Sequence, residues 1–137
     1  MKETFKRLSG RKRSGFTLIE LLVVVLILSV LMAVAMPLYL SAVADSQKKT
    51  CRANQQTIAN AVQSARVKTE SADYGAIISS CSTTITTAAL PDLNAVPQCP
   101  DAGLYSLAQG NSGDNTTFKV VCSIAAHGTF QPGVNSN

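Results

Sequence analysis

From Phe16 to Leu40 the chain runs for 25 residues with a single charge, Glu20, and that run limits what everything after it can be. Wound as a helix at about 1.5 Å per residue it reaches ~37 Å, enough to cross a hydrocarbon core of about 30 Å. An acid inside such a span costs roughly 2.5–3.5 kcal/mol even on the lenient insertion scale, so Glu20 calls for a partner. Whatever lies beyond Leu40 is therefore expected to be carried by a membrane-length helix.

The flanks orient that span. Ahead of it stand Lys2, Lys6, Arg7, Arg11, Lys12 and Arg13 against Glu3 alone, a net +5. Beyond it, Lys48, Lys49 and Arg52 face only Asp45, a smaller excess. The positive-inside rule keeps the N-terminus in the cytoplasm and exports the rest. Without residues 1–15 the chain keeps six basic and seven acidic side chains, so the basic pI of about 9.0 belongs to the leader. It gives no support to nucleic acid as a partner.

The junction Gly15-Phe16-Thr17-Leu18-Ile19-Glu20 and the apolar run behind it resemble the precursors of type IV pilins and pseudopilins. The resemblance is close over Arg13 to Pro37 and fits by architecture to about Ala72. It implies that a prepilin peptidase cuts between Gly15 and Phe16 and methylates the new amine of Phe16. It also implies that Glu20 is the carboxylate used in filament assembly, with Pro37 as a helix-softening proline. Implied partners are further copies of the chain, the peptidase, an inner-membrane platform protein, an assembly ATPase, and membrane lipid before assembly.

Two other classes fit parts of the same segment. Ala33-Val34-Ala35 has the small-x-small form of a secretory cleavage site, which would release a soluble domain starting at Met36; yet the run exceeds the 7–15 apolar residues usual there. A monomeric membrane-anchored binding module explains the length and orientation but gives Glu20 nothing to do. Within the filament class, a type IV pilus subunit is the reading taken. A pseudopilin of a type II secretion or DNA-uptake system is the alternative, kept open by the 15-residue leader.

Residues 41–72 hold no Gly or Pro and place Val43, Gln47, Cys51, Asn54, Ile58, Val62 and Ala65 at three- and four-residue spacing, one apolar face of a helix. Pro37 removes a backbone N–H within the long helix, and Ser29, able to bond back to its own helix, softens the same stretch. From residue 73 onward the chain is rich in small polar residues. Its large aromatics are Tyr74, Tyr105, Phe118 and Phe130, and it has no Trp. Residues 103–108 and 116–122 read as a hairpin across Gly110-Asn111-Ser112-Gly113-Asp114-Asn115. A further short strand is expected near Thr84 to Thr86. The fold expected is α+β, a long N-terminal helix on a small antiparallel sheet of two to four strands.

So little core needs staples. Cys51, Cys81, Cys99 and Cys122 all lie on the exported side, where an even count reads as disulfides. Three pairings are possible; the one favoured joins Cys51 to Cys81 and Cys99 to Cys122, each worth roughly 3–4 kcal/mol in the chain-entropy model. No metal-ligand spacing stands out and no cofactor is expected. His127 has no carboxylate neighbour in sequence and reads as structural or exposed. Asp92, Asp101 and Asp114 are scattered through loops. The tail from Gln131 to Asn137 lacks the acids of a calcium-binding secretion pseudopilin, and 110–115 reads as a turn before an ion loop. No residues suggest catalysis. The chain is expected to be a structural subunit, stored in the inner membrane and then polymerised into an extracellular or periplasmic filament.

Overall fold

The computed structural model describes residues 15–134. The basic leader up to Ser14 and the last three residues of the tail lie outside the described residues. Contacts divide the chain into two compact units, with the boundary between Leu40 and Ser41.

Helix α1 runs Leu18–Lys68 and contains Pro37. Its start is set by Thr17, whose side chain accepts a bond from the Glu20 N–H at 3.3 Å and whose carbonyl accepts from Leu21. That is an N-cap, which satisfies helix donors that have no carbonyl a turn earlier. The helix stops four residues short of the expected Ala72. Glu70 takes a left-handed φ of 50°, its N–H bonds to the Val67 carbonyl, and Ser71 N–H reaches back to Arg66. This pair of bonds is a Schellman ending, built here without the usual glycine. Arg66 secures it by donating to the carbonyls of Ser71 and Ala72 and by lying 4.6 Å above the Tyr74 ring.

In the unit that begins at Ser41, α1 buries Cys51, Gln55, Ile58, Ala59, Ala61, Val62 and Ala65. The expected face is buried from Cys51 to Ala65, with Val43, Gln47 and Asn54 half-buried and Gln55 added. The Gln55 amide is satisfied by donating to the Gly128 carbonyl at 3.0 Å. A short helix α2, Gly75–Ser80, follows and buries Ile77 and Ile78.

The expected hairpin forms as β1, Tyr105–Gln109, and β2, Phe118–Cys122, in antiparallel register with Tyr105 opposite Cys122, Leu107 opposite Val120 and Gln109 opposite Phe118. Alternation sends Tyr105, Leu107, Phe118, Val120 and Cys122 inward. The turn is held by Asp114, which accepts from the Thr116 N–H at 2.7 Å, with Gly113 at φ 81°. A third strand, β3, Thr129–Phe130, pairs antiparallel with β2. The sheet order is β1-β2-β3, so the fold is α+β.

The strand expected at Thr84 to Thr86 does not form. Ile85 is instead a single anchor, buried and donating its N–H to the Tyr105 carbonyl at 3.1 Å. One bond to the sheet is too few for a ladder.

Candidate functional site

Two places concentrate chemistry, each within its own unit. The first is the start of α1. Phe16 is 74% exposed, and from Leu18 to Leu40 every residue is exposed, including the large apolar ones. Residues 18–40, at about 1.5 Å each, span roughly 34 Å, and α1 is long and apolar enough to cross a membrane. A helix apolar on all sides needs an apolar environment on all sides. Glu20 stands one turn into it, exposed; among the described residues Lys68 pairs with Asp92, and His127 Nε2 meets Asp101. Ser29 donates to the Leu26 carbonyl at 2.7 Å, a bond that bends back within its own helix. Among the described residues a Cβ added at Gly15 would meet nothing within 4 Å.

The second place is buried beneath the sheet. Cys51 comes from α1, Cys99 from the loop before β1, Cys122 from the end of β2, and His127 from a 3-10 turn at Ala125–His127. Their ligand atoms all lie within 4.8 Å of one another, and all four residues are buried. Cys122 Sγ is 3.8 Å from Cys99 Sγ, and His127 Nδ1 is 3.2 Å from Cys99 Sγ and 3.9 Å from Cys122 Sγ. The far side of the imidazole, Nε2, meets Asp101 Oδ2 at 3.1 Å. Tyr105 donates its hydroxyl to Cys51 Sγ at 3.3 Å.

Burial raises the Cys51 thiol to about 12, against the lowering effect of the Tyr105 hydroxyl. Burial also raises Cys99, but the backbone N–H groups of Asp101 and Gly103, then Cys122 and His127, outweigh it and bring that thiol below its ordinary value. Cys122 is raised, chiefly by burial. Gly103 is where the backbone comes closest: a Cβ there would sit 2.8 Å from Cys122 Sγ and 3.2 Å from Cys99 Sγ.

No disulfide bond is formed in the structure, while the expected partners Cys99 and Cys122 are brought together with their Sγ atoms 3.8 Å apart. Cys51 joins Cys99, Cys122 and His127 rather than Cys81, which is buried elsewhere with its carbonyl accepting from the Leu107 N–H. The physical reason is the direction of the buried face of α1, which delivers Cys51 to the two ends of the hairpin. His127 is buried and has the carboxylate partner that its sequence neighbourhood lacked.

The model of the prokaryotic N-terminal methylation motif matches residues 10–36. This chain carries the signature of type IV pilins and pseudopilins. Neither curated proteins nor solved structures give a match. The match covers the Gly15-Phe16 junction, Glu20 and most of the membrane-length run, so the motif supports a pilin-like or pseudopilin protein, structural in kind, with a membrane-anchored precursor.

Sequence reasoning placed Gly15, Phe16, Glu20, Ser29 and Pro37 on one segment, and the structure sets all but the first two on α1. It missed the four-residue cluster in this pilin-like chain. The one local signal was Cys122 followed five positions later by His127. Cys51 and Cys99 are too distant in sequence to have announced their part.

Proposed function

We propose that this protein is a subunit of a type IV pilus, held in the inner membrane by residues 16–40 and polymerised through the same residues after cleavage between Gly15 and Phe16. The observation that carries the reading is a methylation-motif match lying over a helix segment that is apolar and exposed on every side. Lipid covers that surface first, and neighbouring helices cover it in the filament.

Glu20 supplies the register. Once cleaved, Phe16 bears an N-methylated amine that stays protonated, and Glu20 of a neighbouring subunit pairs with it inside a dry helix bundle. Each addition removes an unpaired charge that would otherwise cost several kcal/mol. Leu21, Leu22, Val25, Leu28 and Leu31 pack helix on helix, and repeated head-to-tail contacts that do not close give an open helical polymer. Pro37 and Ser29 let the helix loosen as it leaves the bilayer. The N-terminus starts in the cytoplasm, and the unit from Ser41 onward lies outside.

Intact-mass measurement of the subunit from its native membrane tests the reading. A mass equal to residues 16–137 plus one methyl is expected, and a start at Met36 would overturn it in favour of a secreted domain. Because no described residue crowds Gly15, a bulky replacement there should leave stable, uncut precursor in the membrane. Surface filaments, as opposed to short periplasmic ones, separate the pilus from the secretion or competence pseudopilus.

A further inference from the structure

The cluster of Cys51, Cys99, Cys122 and His127 has no part in the assembly reading, and its geometry argues for a ligand. For a tetrahedral ion with about 2.3 Å to sulfur and about 2.0–2.1 Å to nitrogen, sulfur–sulfur edges are about 3.8 Å and sulfur–nitrogen edges about 3.5 Å. Three of the six edges are 3.8 Å between Cys99 and Cys122, and 3.2 and 3.9 Å from His127 Nδ1 to those sulfurs; the three edges to Cys51 lie within 4.8 Å, so that sulfur closes in by up to about 1 Å when an ion is held. Four donors from four separate segments converge, where a disulfide would use two and leave a buried thiol and an imidazole beside it.

The surroundings are those of a metal centre. Asp101 meets Nε2 of His127 at 3.1 Å, which places the ring proton on that nitrogen and turns the Nδ1 lone pair toward the sulfurs. The Tyr105 hydroxyl donates to Cys51 Sγ at 3.3 Å, a bond a metal-bound sulfur can also accept. Gly103 is the residue whose lack of a Cβ lets the backbone approach the sulfurs.

We propose that Cys51, Cys99, Cys122 and His127 bind one Zn2+ ion in a closed Cys3His structural site, with Asp101 orienting the histidine. The ion ties α1 to the loop before β1, the end of β2 and the 3-10 turn, replacing the staples that a small, aromatic-poor core needs. Binding releases the thiol protons to solvent, one for each sulfur that enters as thiolate, so affinity falls as pH falls.

The test uses the full processed chain purified in detergent without added reductant, its metal content measured and its free thiols trapped by alkylation. One zinc per chain and four alkylatable thiols on denaturation are expected, and exchange into Co2+ should give the intense visible bands of a tetrahedral thiolate site. Cys51→Ser and His127→Ala should lose the ion, whereas Cys81→Ala should retain it. Asp101→Asn, at a carboxylate on the rim of the cluster, should keep one ion per chain but bind Zn2+ about 10–100-fold more weakly in competition with a chromophoric chelator. A Cys99–Cys122 disulfide in the isolated protein would overturn the proposal. So would reduced protein that holds no zinc, or zinc retained equally by the Cys51→Ser and Cys81→Ala variants. None of these outcomes depends on whether the chain forms a pilus.

Discussion

Helix α1 carries two kinds of hydrophobicity on one backbone. Between Leu18 and Leu40 apolar residues point in every direction and all are exposed; between Cys51 and Ala65 they form a stripe, and the stripe is buried. The first pattern suits an environment supplied by other molecules, lipid and then other subunits. The second suits a domain that the chain supplies itself. A substitution in the first segment should therefore act on assembly and leave folding alone, while one in the second should do the reverse.

The largest effect is expected at Glu20. Glu20→Ala removes the proposed partner of an incoming Phe16 amine, and leaving a charge unpaired in a dry bundle costs about 3–5 kcal/mol, more than 100-fold per addition step. Sheared filaments counted by electron microscopy should nearly vanish while processed subunit in the membrane stays at the parent level. Parent filament numbers would break the division of labour at its most informative residue. Glu20→Gln, which keeps shape and hydrogen bonding, should fail in the same way.

Next in size is Ile58→Ala, a fully buried position on the stripe. Truncating such a side chain costs about 2–5 kcal/mol, which for a domain of this size lowers the melting temperature by roughly 10 °C or more. Leu28→Ala, half-exposed in the apolar half, is the matched control and should leave that melting transition unmoved. Equal shifts from the two would erase the contrast.

Gly103→Ala sharpens the picture within the globular unit. Its Cβ would press on Cys122 Sγ at 2.8 Å, and overpacking of that kind costs about 1–3 kcal/mol. Thermal melts of the full chain should show a smaller loss than Ile58→Ala, together with weaker metal retention.

The smallest effect belongs to Asp92. It accepts bonds from Lys68 and Ser64 at the surface, and those bonds, the Lys68 one foremost, hold its carboxyl below the usual range. A carboxyl whose pKa is lowered by folding stabilises the fold above its unfolded value of about 3.9 and loses that contribution as pH falls through the folded value. Asp92→Asn should thus lower the melting temperature only slightly at neutral pH. The difference from the parent should fade on acidification, as melts across a pH series would record.

What the sequence determined by itself was everything written in short-range pattern. The membrane-length run, the Gly15-Phe16 junction, the buried face through Ile58 and Val62, and the 103–122 hairpin each carry their own period or motif, so neighbours a few positions apart suffice to reveal them. The end of α1 escaped because Glu70 adopts a left-handed φ that glycine ordinarily signals, and β3 escaped because two residues hold no period. The cluster was decided by tertiary structure alone. Cys51, Cys99, Cys122 and His127 meet only because α1 buries one face against the sheet, β1 and β2 pair in the register that puts Tyr105 opposite Cys122, and Gly103 lets the backbone close on the sulfurs. Such a convergence is set by packing between segments far apart in the chain, of which the Cys122–His127 spacing is only one local fragment.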